Sequence, residues 1–141
     1  MKLRNLAIAI SLVALTACDN SNQTQQNPEL LKGQNFITTI NGVDVTLSFD
    51  ANDMRSYGKV VNRYNASYAA DTSGKIGFGP IASTMMMGPE GAMQAESEYH
   101  KFLETAQLYK LDGSTLKIKN IEGKQIEFKS LDESGPAAAE T

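Results

Sequence analysis

Val43, Val45, Leu47 and Phe49 alternate with polar residues, and alternation at period two marks a strand with one buried face. A segment rich in β-branched and aromatic residues over 36–40 (FITTI) precedes it. The intervening Asn41-Gly42 is the pair that a two-residue hairpin turn selects, so the two runs are expected to pair. Residues 57–68, with Val61 and tyrosines among Asn62, Arg63 and Asn65, are expected to form another strand, bent at Gly58. Asp71-Thr-Ser73-Gly74 then turns the chain into a strand over residues 75–81, where Gly77 and Gly79 let it bend or let another backbone come close.

A change of period follows. Ala92, Ala95, Tyr99, Phe102, Leu103 and Ala106 recur at three- and four-residue steps, with Gln94, Glu98, Lys101 and Glu104 on the opposite side. The pattern predicts an amphipathic helix over residues 90–105, opened by Pro89 and acidic Glu90, that covers one opening or face of the sheet. Tyr109 and Leu111, Leu116 and Ile118, then Ile126 and Phe128 alternate across Asp112-Gly113 and Glu122-Gly123, which reads as a three-strand meander. Near the start of the domain, Pro28-Glu29-Leu30-Leu31 reads as a short helical turn. The expected class is α+β: a compact antiparallel sheet or partly open barrel with one helix before the C-terminal meander.

The N-terminal region adds a compartment. Lys2 and Arg4 precede an apolar run over residues 6–15 that is too short to span a bilayer, and Leu15-Thr16-Ala17-Cys18 fits a bacterial lipobox. Residues 1–17 are therefore expected to be a lipoprotein signal peptide, with diacylglyceryl and acyl groups on Cys18 anchoring the chain in the membrane. An aspartate directly after the lipidated cysteine, here Asp19, resembles an inner-membrane retention signal of enterobacteria; outer-membrane placement is the alternative. The polar stretch DNSNQTQQN makes residues 18–29 a tether, the folded domain occupies 30–131, and residues 132–141 read as a disordered tail.

Cys18 is the only cysteine, so no internal disulfide can form, and its expected lipidation leaves no cysteine nucleophile or thiolate metal ligand in the mature chain. Loss of Lys2 and Arg4 with the signal leaves 11 basic against 16 acidic residues, a net charge of −5 that disfavours nucleic acid and anionic headgroups as partners. Asp50-Ala-Asn52-Asp53 has the opening of a calcium loop, but Met54 and Arg55 stand where a ligand and glycine belong. Ser83 and Thr84 are the hydroxyls a nucleophilic mechanism would need, with His100 as the one histidine, and no spacing joins them. The chain is thus read as non-enzymatic and free of cofactors.

Residues 36–42 (FITTING), Val61-Asn62-Arg63-Tyr64, GPIAST over residues 79–84 followed by methionines, Glu96 on the helix and LDGSTL over residues 111–116 together resemble the META domain, most closely its HslJ-like heat-shock lipoprotein branch. The resemblance implies a β-fold with one packed helix, a role in heat stress and novobiocin tolerance, and no established catalytic residues. META domains often carry two cysteines at positions that here hold Val61 and Gly88, so a cross-link worth roughly 2–4 kcal/mol is absent. The expected function is binding of an envelope protein or ligand through Asn62, Arg63, Ser83, Thr84, Met85, Met86 and Met87. The three methionines either fill gaps beneath the helix or present soft apolar surface. Two alternatives stand beside this: a Cu(I) site built from Met85, Met87, Met93 and His100, with Glu96 on the same helical side, and a pilotin-like chaperone with a lipid in the barrel.

Overall fold

The computed structural model describes residues 25–131. The expected signal peptide, Cys18, Asp19 and the expected tail at 132–141 lie outside them. A 3₁₀ turn, η1 (Pro28–Leu31), opens the fold, with the Asn27 side chain accepting the Glu29 N–H at 3.0 Å. Nine strands follow: β1 (Asn35–Ile40), β2 (Val43–Phe49), β3 (Arg55–Lys59), β4 (Arg63–Ala70), β5 (Ile76–Phe78), β6 (Ala82–Ser83), β7 (Ala106–Asp112), β8 (Thr115–Asn120) and β9 (Gln125–Ser130). The one α-helix among the described residues, α1 (Glu90–Glu104), sits between β6 and β7.

The sheet is antiparallel throughout, in the order β5-β4-β3-β2-β1-β9-β8-β7, with β6 joined to β4. Its ends meet through a single bridge, Lys75 to Leu108, reinforced by the Tyr109 N–H donating to Gly74 O at 2.8 Å. The result is a nearly closed barrel with one narrow seam.

Local chemistry sets each reversal. Asn41 and Gly42 have φ of 51° and 79°, the left-handed pair of a type I′ turn, and β1 and β2 pair from Ile40–Val43 back to Asn35–Ser48. At the β2–β3 turn, Asp50 Oδ2 accepts the N–H groups of Asn52 (2.9 Å) and Asp53 (2.8 Å), and these bonds hold its carboxyl below the usual range.

Two expectations change. The strand expected over residues 57–68 is two strands, since the chain reverses at Val60-Val61-Asn62 and Lys59 pairs with Arg63. The strand expected over residues 75–81 is broken as well. β5 lies against Ala70 to Tyr68 of β4, β6 lies against Asn65 and Tyr64, and the linking Gly79-Pro80-Ile81 includes a proline with no N–H for the ladder.

Phe36, Leu47, Phe49, Leu116, Ile118 and Phe128 point inward and are fully buried. Phe49 meets Tyr68 edge-on at 4.9 Å between ring centroids and Phe36 at 6.0 Å. These three rings belong to the buried core of the barrel. Helix α1 closes the assembly with Ala95, Tyr99, Phe102 and Leu103, all from the face expected to be apolar. Glu96 is buried beside them.

Candidate functional site: a clamped methionine loop

The β3–β4 reversal has backbone donors that no strand satisfies, and their partner comes from the helix. Glu96 Oε1 accepts the N–H groups of Val61 at 3.0 Å and Asn62 at 2.7 Å, while Oε2 accepts Asn62 Nδ2 at 2.8 Å. Burial pushes the Glu96 carboxyl up, but the bonds from Asn62 and Val61, helped by nearby His100, outweigh it and hold the group below its ordinary value. A buried charge is thereby fully used as an acceptor.

Asn62 carries the connection onward. Its Nδ2 also donates to Met86 O at 3.1 Å, and its Oδ1 accepts the Met86 N–H at 2.5 Å and the Thr84 hydroxyl at 2.9 Å. Thr84 and Arg63 exchange two more bonds, Arg63 N–H to Thr84 Oγ1 at 3.2 Å and Thr84 N–H to Arg63 O at 3.0 Å. The loop following β6 is therefore held at its backbone by one asparagine that is itself held by one glutamate. Gly88 ends the loop directly against Val61: a Cβ at position 88 would stand 2.8 Å from Val61 Cγ1 and 3.7 Å from Val61 Cβ.

The side chains of this loop turn the other way. Met85 is 90% exposed, Met86 58% and Met87 88%. Three thioethers thus face solvent from a backbone that is pinned at Met86. Arg63, Ser83 and Thr84 are exposed with them, whereas Asn62 is buried beneath the surface rather than part of it.

Behind the clamp, Tyr99 and Tyr64 join hydroxyl to hydroxyl at 2.5 Å, and Tyr64 donates to Thr46 O at 2.7 Å, which leaves Tyr99 as donor to Tyr64. Burial drives both phenols upward, so both stay neutral. His100 lies against Tyr64 at 5.6 Å between ring centroids. Its Nε2 is enclosed without a partner among the described residues, and burial lowers its pKa against the opposing pull of Glu96 and Glu104.

Of the hydroxyls noted in the sequence, Thr84 is committed to Asn62 and Arg63. Met93 is half-buried on α1. Among the described residues no three His, Cys, Asp or Glu side chains converge to hold a metal, and no helix is long and apolar enough to cross a membrane.

Sequence reasoning placed Asn62, Arg63 and the methionines in one region but missed Glu96 as the organiser. The signal was present. Positions 92, 96, 99 and 103 fall on one helical stripe, and a carboxylate there must find donors when the stripe is buried.

A family model described as META domain matches residues 19–133. Two solved NMR structures are similar in fold. One is 22% identical with a TM-score of 0.60, the match covering 74% of this chain and 94% of that one. The other, of a protein from Burkholderia xenovorans, is 17% identical with a TM-score of 0.61, covering 92% and 98%. A comparison with curated proteins found no match.

Proposed function

Because the chain belongs to the META domain family, we propose that it is a non-enzymatic envelope lipoprotein, anchored through Cys18, whose clamped methionine loop binds another envelope component. In this reading the contribution to the cell is stress tolerance of the HslJ-like kind, toward heat and novobiocin. The observation that carries it is the contrast within one loop: a backbone fixed through Asn62 to Glu96, and three exposed thioethers.

Methionine adapts to irregular apolar partners, and a fixed backbone reduces the ordering cost of binding. Soft apolar side chains on a stiff base suit a protein or lipid-like partner more than a small polar ligand.

The test is a photoreactive residue placed at Met85 or Met87 in intact envelopes, with Tyr57, another exposed position, as control. Adducts specific to the loop, together with loss of heat and novobiocin tolerance in a Met85, Met86 and Met87→Ser variant of unchanged abundance and melting temperature, support the reading. Equal adducts at Tyr57, or full tolerance in the triple variant, overturn it.

A further inference from the structure

The loop also has a chemistry of its own. Thioether sulfur is a side-chain group that two-electron oxidants convert to the sulfoxide without breaking the chain, and reaction follows exposure. Five methionines lie among the described residues. Met85 and Met87 are about twice as exposed as Met54, at 41%, while Met93 is half-buried and the core contains none.

We propose that Met85, Met86 and Met87 are a reversible oxidation site, taking hypochlorous acid as the oxidant. Each sulfur attacks chlorine and expels hydroxide; water then attacks sulfur, displaces chloride and gives up two protons, one of which neutralises the hydroxide, so one thioether and one hypochlorous acid give one sulfoxide, chloride and a proton. Sulfur loses two electrons and chlorine gains them. A methionine sulfoxide reductase reverses the step, delivering two electrons and two protons and releasing water.

The clamp makes this chemistry compatible with the fold. Asn62 holds Met86 by its N–H and its carbonyl, never by its side chain, so oxygen added at sulfur leaves every bond of the clamp in place. What changes is the surface: three flexible apolar tips become polar. The consequence for binding rests on the function proposed above, whereas the oxidation site itself does not.

The experiment treats the full chain with graded hypochlorous acid. Tryptic cleavage after Lys32, Arg55, Lys75 and Lys101 separates Met54 from the other four methionines, and fragmentation of the second peptide assigns oxygen among Met85, Met86, Met87 and Met93. The expected result is oxygen at the loop several-fold sooner than at Met93 and up to about twofold sooner than at Met54, an unchanged melting temperature, and return of the loop peptide to its starting mass with the two methionine sulfoxide reductases that between them reduce both sulfoxide epimers. Equal rates at Met93, or unfolding as the first oxygens add, overturn the proposal. Photo-crosslinking is repeated on the oxidised chain. Loss of loop adducts supports switching of the surface; adducts that persist overturn the switch. No adducts in either state refute the binding function while the mass data still decide the oxidation site.

Discussion

Val61 and Gly88 offer a direct measurement of how the loop is seated. A Cβ on residue 88 would stand 3.7 Å from Val61 Cβ, within the spacing of about 3.5–4.5 Å that a disulfide requires. Val61→Cys with Gly88→Cys, in a Cys18→Ser background, is therefore expected to cross-link without backbone movement. The bond closes a loop of about 27 residues, for which loss of unfolded-state entropy corresponds to about 3.5 kcal/mol. In a domain of this size that raises the melting temperature by about 10–15 °C. The assay compares melting with and without reductant, alongside thiol titration. Gly88→Ala alone acts in the opposite direction, because its methyl would press on Val61 Cγ1 at 2.8 Å. Two free thiols after mild oxidation, or a cross-linked form no more stable than the reduced one, would show that the loop does not lie against the β3–β4 reversal.

Three further outcomes follow from the clamp and its surroundings. Asn62→Ala removes both bonds to Met86 and one to Glu96, and is expected to cost about 2–4 kcal/mol in urea unfolding while speeding hydrogen exchange at Met86; unchanged exchange there would contradict the clamp. Glu96→Gln should cost about 2–3 kcal/mol at neutral pH. The carboxyl is held below its ordinary 4.5 in the folded chain, so its stabilisation is present above that value and lost as pH falls through the folded one. Wild type and Glu96→Gln should therefore converge in acid, and a gap independent of pH would refute the assignment. Gly58→Ala puts a methyl 2.1 Å from Thr46 O and 2.8 Å from the Tyr64 hydroxyl, so a loss of about 3 kcal/mol or more is expected; a neutral effect in thermal melting would contradict the close approach of β2 and β3.

What could be seen in the sequence was what neighbouring residues decide. The Asn41-Gly42 hairpin, the α1 boundaries and the meander through Gly113 and Gly123 each rest on local turn chemistry or periodicity, and each stands where expected. The reversal at Val60-Val61-Asn62 contains no glycine or proline, because its donors are satisfied by Glu96, more than thirty residues away. A turn held by a distant carboxylate leaves no local mark. The same distance explains why the sequence points Asn62 toward the surface: its polarity serves Met86 and Glu96, and both partners come within reach only after the barrel has closed.

The seam is crossed at one more place. The Gln26 N–H donates to Thr72 O at 2.9 Å on the β4–β5 side, and Gln26 Oε1 accepts the Leu111 N–H at 2.9 Å on β7. One residue thus grips both lips of a joint otherwise closed by a single strand bridge, its neighbouring bond and the Tyr109 hydroxyl donating to Asp71 O at 3.0 Å. In mechanical terms Gln26 is a clasp, and it is where traction on the N-terminal side of the chain would first be felt. Pulling there loads this seam, where β7 meets the β4–β5 side through one strand bridge and a few hydrogen bonds instead of a full ladder.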